Sequence, residues 1–85
     1  MVIVYSPKFA KKLKSLEFNL QEEIIEKIEL FRDVKNHKQL KVHKLHGRLK
    51  NRFGFSVNYK VRIVFRYLSE QEVVFLVIGG HDVYN

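Results

Sequence analysis

The chain reads as an α+β fold of order β-α-α-β-β-β, with a helical hairpin packed on one face of a mainly antiparallel sheet. Three observations predict it. Behind a short β-branched opening, residues up to Phe31 place apolar side chains at helical spacing. From Phe53 the pattern switches to alternation of apolar and small or polar residues. Finally, Val73 to Ile78 is apolar without a break, as a strand covered on both faces is. Eighty-five residues suffice for one modest core and not for two, so residues 1–85 are read as a single domain.

Val2-Ile3-Val4-Tyr5 is β-branched and aromatic, the signature of a first strand. Ser6-Pro7 follows as an N-cap and a proline at the first helical position, where the missing N–H costs nothing. Phe9, Leu13 and Leu16 form the apolar stripe of that helix, and Lys8, Lys11, Lys12 and Lys14 fill its other face. The second helix is expected to start at Asn19, with Glu22 three residues on as a capping-box partner. Leu20, Ile24, Ile28 and Phe31 are its buried stripe, and Glu23 and Lys27 are placed to pair across one turn. Lys35 to Asn51 shows no clear period and is read as a loop leading into an irregular segment. Phe53 to Tyr59 then alternates as a half-buried strand. Val61, Ile63, Phe65 and Tyr67 alternate with Arg62, Val64, Arg66 and Leu68, which puts both arginines on one face. Ser69-Glu70-Gln71 makes the hairpin connection to the central strand, and Gly79-Gly80 ends that strand in a sharp turn.

Charge is distributed unevenly. From His37 to Arg66 there are nine Lys or Arg residues and no Asp or Glu, and His37, His43 and His46 lie among them. Residues 1–36 carry a net +1 and residues 67–85 a net −3, so the overall +7 is concentrated in the middle third. Such a field attracts polyanions, which makes RNA handling the first hypothesis. The chain contains no cysteine, which excludes disulfides and thiolate metal sites and fits a reducing compartment. The longest apolar run falls far short of a membrane span, and the N-terminus lacks a signal-peptide pattern. A cytoplasmic protein without membrane contact is expected.

Cutting RNA without a metal needs a base to take the 2′-hydroxyl proton, a cation to stabilise the extra negative charge of the transition state and an acid to protonate the departing 5′-oxygen. Histidine suits both proton roles, with an unperturbed pKa of about 6.5. Arginine suits the middle one, since its planar fork grips two phosphate oxygens and keeps its charge. The acid-free stretch offers no carboxylate cluster for a two-metal nuclease, so no cofactor is expected. Each residue has a plainer competing account. His43 and His46 are spaced as a metal pair on a helix, or as solvated loop histidines; Arg62, inside an apolar strand, suits a structural ion pair to Glu or Asp; His81 after the glycines suits a satisfied C-terminal histidine.

Three blocks in fixed order carry a resemblance: His43-Lys44-Leu45-His46-Gly47-Arg48-Leu49-Lys50, Tyr59-Lys60-Val61-Arg62-Ile63-Val64-Phe65 and Ile78-Gly79-Gly80-His81-Asp82-Val83-Tyr84. With Ser6-Pro7-Lys8-Phe9 opening the first helix, the chain resembles the RelE/ParE superfamily of toxins from type II toxin–antitoxin systems, in particular its RelE/StbE branch. The resemblance implies an endoribonuclease that cleaves mRNA in the ribosomal A site and is silenced by a cognate antitoxin, with operator DNA reached only through that antitoxin. By position, Arg62 matches the strand arginine on the scissile phosphate, His81 a late histidine acting as general acid, and Tyr84 the C-terminal aromatic that orients or stacks on substrate. His43 matches the histidine before the Leu-x-Gly turn; His43 and His46 are both candidates for the base. The chain departs from the lysine-using members, having Phe53, Phe55 and Val57 where those carry strand lysines. It departs also from histidine-using members that add a His and an Asp there, since Ser56 and Lys60 offer neither.

On this reading Lys41, Lys44, Arg48, Lys50, Arg52 and Lys60 form the RNA-binding surface. Two other functions compete: a ParE-like inhibitor of DNA gyrase, and a degenerate module that only binds its antitoxin or nucleic acid.

Overall fold

A computed structural model describes residues 1–47 and 50–84 of the chain. Its elements are strand β1 (Val2–Tyr5), helices α1 (Pro7–Ser15) and α2 (Phe18–Phe31), then strands β2 (His43–Lys44), β3 (Phe53–Ser56), β4 (Arg62–Ser69) and β5 (Glu72–Gly79). Short 3₁₀ turns occupy Val34–Asn36 and His81–Tyr84. The strands form one sheet of order β1-β5-β4-β3-β2, antiparallel except where β1 runs parallel to β5. The expected architecture is present, with one short strand added.

Local chemistry sets the helix ends. Ser6 Oγ accepts from the Phe9 N–H at 3.1 Å, and Pro7 opens α1 as the sequence predicts. The start of α2 differs from expectation: Glu17, not Asn19, is the cap, its Oε1 accepting from the Leu20 N–H at 2.7 Å. A carboxylate at that point also faces the positive end of the helix. The expected Glu23–Lys27 pair is absent too, because Glu23 turns to Asn58 across the hairpin joining β3 and β4. Among the described residues the ion pairs are Glu29–Arg32 and Asp33–Lys35, both exposed.

Both helices cover one face of the sheet. Phe9, Ile24, Ile28 and Phe31 pack against Phe55, Ile63, Phe65, Val73 and Phe75, all essentially without solvent exposure. Phe31 is the centre: its ring stacks on Phe55 at 4.8 Å and meets Phe65 and Phe75 edge-on at 5.0 and 5.3 Å. On its other side it stacks on His37 at 4.4 Å, while His37 Nε2 donates to the Phe31 carbonyl at 2.8 Å. One histidine of the basic stretch is therefore a structural, satisfied residue. β5 lies between β1 and β4, as its apolar run predicts.

Among the described residues no α-helix covers the opposite face of the sheet. There the alternation of β4 places Arg62, Val64 and Arg66. The 3₁₀ turn His81–Tyr84 folds back over this face, with Tyr84 against Gly54 and Val83 against Gly79. Gly79 and Gly80 both have ordinary backbone angles, so the glycine at 79 is needed for space under Val83 and not for a special turn. Among the described residues no helix is long and apolar enough to cross a membrane.

Candidate active site

The site is built on the helix-free face from four segments. Arg62 opens β4 opposite Ser56 of β3 and Gly79 of β5. His43 in β2 stands opposite Gly54, which in turn stands opposite Val64. The returning 3₁₀ turn adds His81 and Tyr84 from above.

Tyr84 is the piece that joins them. Its ring lies 5.0 Å from the His43 ring, edge-on, and 5.9 Å from the His81 ring. The approach depends on Gly54, where a Cβ atom would come within 2.5 Å of Tyr84 Cε1 and 3.0 Å of its Oη. The hydroxyl thus points into the protein, buried and without a hydrogen-bond partner among the described residues. Burial pushes the phenol above its usual value, while the nearby Arg62 charge and the Ser56 hydroxyl pull the other way. Ser56 is accordingly a polar neighbour that does not reach hydrogen-bond geometry.

His43 is exposed, and its Nδ1 lies 2.8 Å from the Lys41 carbonyl. A carbonyl only accepts, so Nδ1 carries the proton and the neutral ring offers the Nε2 lone pair outward. Lys41 presents that carbonyl from a left-handed backbone conformation, φ 61°, uncommon for a side-chain-bearing residue. Arg62 is half-buried, and its Nη1 donates to the backbone carbonyls of Asn58 and, at 3.4 Å, Val61. No carboxylate pairs with it among the described residues, which overturns the structural ion pair as its explanation. It borders a concavity of about 280 Å³ with Lys27, Gln39, Lys41, Ser56, Asn58 and Tyr59.

No protein-family profile matches the chain, and no curated protein matches it in sequence. Solved structures do match in fold. The YoeB–YefM complex from Staphylococcus aureus superposes with a TM-score of 0.73 at 16% identity, over 95% of this chain and 97% of that one. The toxin–antitoxin complex RelBE2 from Mycobacterium tuberculosis gives 0.70 at 16% identity, over 94% and 96%. A YafQ mutant from E. coli gives 0.66 at 18% identity, over 95% and 93%. The chain has a RelE-like toxin fold.

Within this RelE-like fold the remaining basic residues divide. Lys41 shares the concavity of Arg62. His46 does not join the site: it is exposed and lines a separate concavity of about 340 Å³ with Lys44, Gly47, Lys50 and Asn51. Arg52 is half-buried, with its carbonyl accepting from the Leu45 N–H at 2.9 Å, and Lys60 is exposed on the hairpin beside Arg62. Arg48 lies outside the described residues. A further concavity of about 410 Å³, between α1 and β5, is lined by Lys8, Lys11, Lys12, Ser15, Val77 and Ile78 and holds no histidine or arginine. Among the described residues no three His, Asp or Glu side chains cluster as a metal site, and the His43–His46 pair has no third donor.

Three contributors escape sequence reasoning. Gly54 leaves the floor open for Tyr84, Lys41 supplies the carbonyl that fixes His43, and Asn58 holds Arg62. Gly54 alone left a signal: a glycine within an otherwise aromatic strand marks a place where another group approaches the backbone closely.

Proposed function

We propose that this chain is the toxin of a type II toxin–antitoxin pair and that it cleaves mRNA on the ribosome by attack of a 2′-hydroxyl on the adjacent phosphate. The observation that carries the reading is that Arg62, with no carboxylate partner among the described residues, shares the helix-free sheet face with two exposed histidines that both lie against Tyr84.

His43 takes the 2′-hydroxyl proton through Nε2, the nitrogen left free by its bond to the Lys41 carbonyl. The 2′-oxygen attacks phosphorus, and Arg62 stabilises the charge that develops on the non-bridging oxygens. His81 in its protonated form gives a proton to the departing 5′-oxygen, leaving a 2′,3′-cyclic phosphate and a free 5′-hydroxyl. Tyr84 lies against both imidazoles with its ring, a positioning role suited to a hydroxyl that faces inward. Lys41, Lys44, Lys50, Arg52 and Lys60, with Arg48, supply the field that draws in a polyanion.

Partnership with an antitoxin is supported by the like-folded chains found in complexes, YoeB with YefM and RelBE2. The deciding experiment incubates the purified protein with translating ribosomes and maps mRNA ends. Cut mRNA with wild type and intact mRNA with Arg62→Ala are expected. Intact mRNA with wild type overturns the nuclease reading, and inhibited supercoiling by gyrase would replace it.

A further inference from the structure

Among the described residues, one side chain hydrogen-bonds the hairpin between β3 and β4 to α2. Asn58 Oδ1 accepts from the backbone N–H groups of Lys60 and Val61, each at 2.8 Å. Two N–H donors on that side fix which end of the amide is oxygen. Nδ2 therefore faces the other way and donates to Glu23 Oε1 at 2.9 Å, across 35 residues of sequence. The backbone carbonyl of the same residue accepts from Arg62 Nη1.

We propose that Glu23 and Asn58 are positioning residues for Arg62, so that helix α2 sets the direction in which the guanidinium points. The inference rests on the reading that Arg62 grips the reacting phosphate. Its logic is geometric. A long arginine side chain on an open face has many rotamers, and one productive pose must be selected. Anchoring Nη1 to a carbonyl removes most of them and leaves the Nε–Nη2 edge, which has no intramolecular hydrogen bond among the described residues, for two phosphate oxygens. The anchor is only as firm as the hairpin that bears it. Asn58 stiffens that hairpin from within, and the half-buried Glu23 carboxylate holds Asn58 to a helix whose other face is buried in the core. Because the anchor is a neutral carbonyl and the carboxylate stands one residue further back, Arg62 is held without its charge being cancelled.

The test pairs cleavage kinetics with NMR of the Arg62 side chain in the intact protein. Glu23→Ala leaves a good helix former on α2, so folding is retained. It is expected to shift the Arg62 Nε–H resonance and to lower the cleavage rate at saturating ribosomes by about 10–100-fold, with KM moved less than about 2-fold. Glu23→Gln keeps an oxygen acceptor for Asn58 Nδ2 and should restore both readouts to within about 3-fold of wild type. Asn58→Ala, which removes the relay itself, should match Glu23→Ala in direction. An unchanged Arg62 resonance in Glu23→Ala, or an unchanged rate beside an inactive Arg62→Ala, overturns the relay. Activity retained by Arg62→Ala overturns instead the role given to Arg62, and the resonance then still decides whether α2 orients that side chain.

Discussion

Substituting Gly54 by alanine puts the construction of the site to its most direct test. The backbone at Gly54 lies outside the left-handed region, so alanine meets no conformational barrier there. Taken alone, the change would stabilise by about 0.4–1 kcal/mol by narrowing the unfolded ensemble. The new methyl, however, would stand 2.5 Å from Tyr84 Cε1 and 2.9 Å from Cζ. Carbon atoms in contact settle at about 3.5–4.0 Å, so the ring must retreat by roughly 1 Å. Overpacking of this kind costs about 1–3 kcal/mol. The net expectation is a loss of about 0.5–2 kcal/mol, or about 2–15 °C in Tm for a domain of this size. The sharper expectation is a coupling. In a Tyr84→Ala background the obstacle is gone, so Gly54→Ala should become neutral or stabilising by up to about 1 kcal/mol. Urea unfolding of the four proteins, followed by circular dichroism, measures the cycle. An equal effect of Gly54→Ala in both backgrounds would refute the packing of Tyr84 on Gly54, and with it the route by which His43 and His81 are brought together. In the cleavage assay the displaced ring should lower activity by up to about 100-fold, since a misplacement of roughly 1 Å is enough for that.

Tyr84→Phe deletes a buried hydroxyl that has no partner among the described residues and should leave stability unchanged or raise it by up to about 2 kcal/mol in urea unfolding. The phenol also sets an alkaline limit: its folded pKa is raised by burial, so its contribution is complete below the unfolded value of about 10 and is lost as pH climbs through the folded one. Tyr67 is raised for the same reason, so Tyr84→Phe should reduce the alkaline fall in stability and not abolish it. Phe31→Ala removes the ring at the centre of the core and should cost about 3–5 kcal/mol, seen as a large drop in the urea midpoint. Lys41→Asn removes a charge beside Arg62 while tolerating the left-handed backbone there; it should reduce the slope of log K against log salt for single-stranded RNA by about 0.7, whereas Lys8→Ala on α1 should not.

Much of the fold was legible because it is written in local periods. The Ser6-Pro7 start, the two apolar stripes and the alternation through Arg62 to Tyr67 each follow from side chains a few residues apart. What escaped depends on partners distant in sequence. β2 is only two residues long and exists because β3 offers it a ladder. The parallel pairing of β1 with β5 joins Val2 to Glu72, which no local pattern announces. The cap of α2 differs from expectation because Asn19 and Glu22 have the spacing of a capping box, whereas the carboxylate of Glu17 reaches the Leu20 N–H first. Glu23 and Lys27 were well spaced for a helix pair, but an exposed pair of that kind is worth only about 0.3–0.5 kcal/mol. An amide donor from a fixed hairpin competes easily with so little. In the candidate site, the residue types could be read; their convergence could not, because it runs through Gly54 and a chain reversal after Gly80.

The members of the acid-free stretch are used in different ways. His37 is committed to the core, Lys41 contributes a carbonyl as well as a charge, and His46 stands apart from Arg62. The absence of acids matters most at Arg62. A half-buried arginine needs compensation for lost hydration, and a carboxylate is the usual source. Here the compensation comes from the carbonyls of Asn58 and Val61, dipoles that satisfy the donors and leave the net charge in place. A carboxylate at the same point would have served stability equally and neutralised the field that a phosphate must feel. On the proposed reading, excluding acids from His37 to Arg66 is a constraint on the ligands of one guanidinium as much as a means of attracting RNA, and the carboxylate bound to Asn58, that of Glu23, comes from a helix outside the stretch.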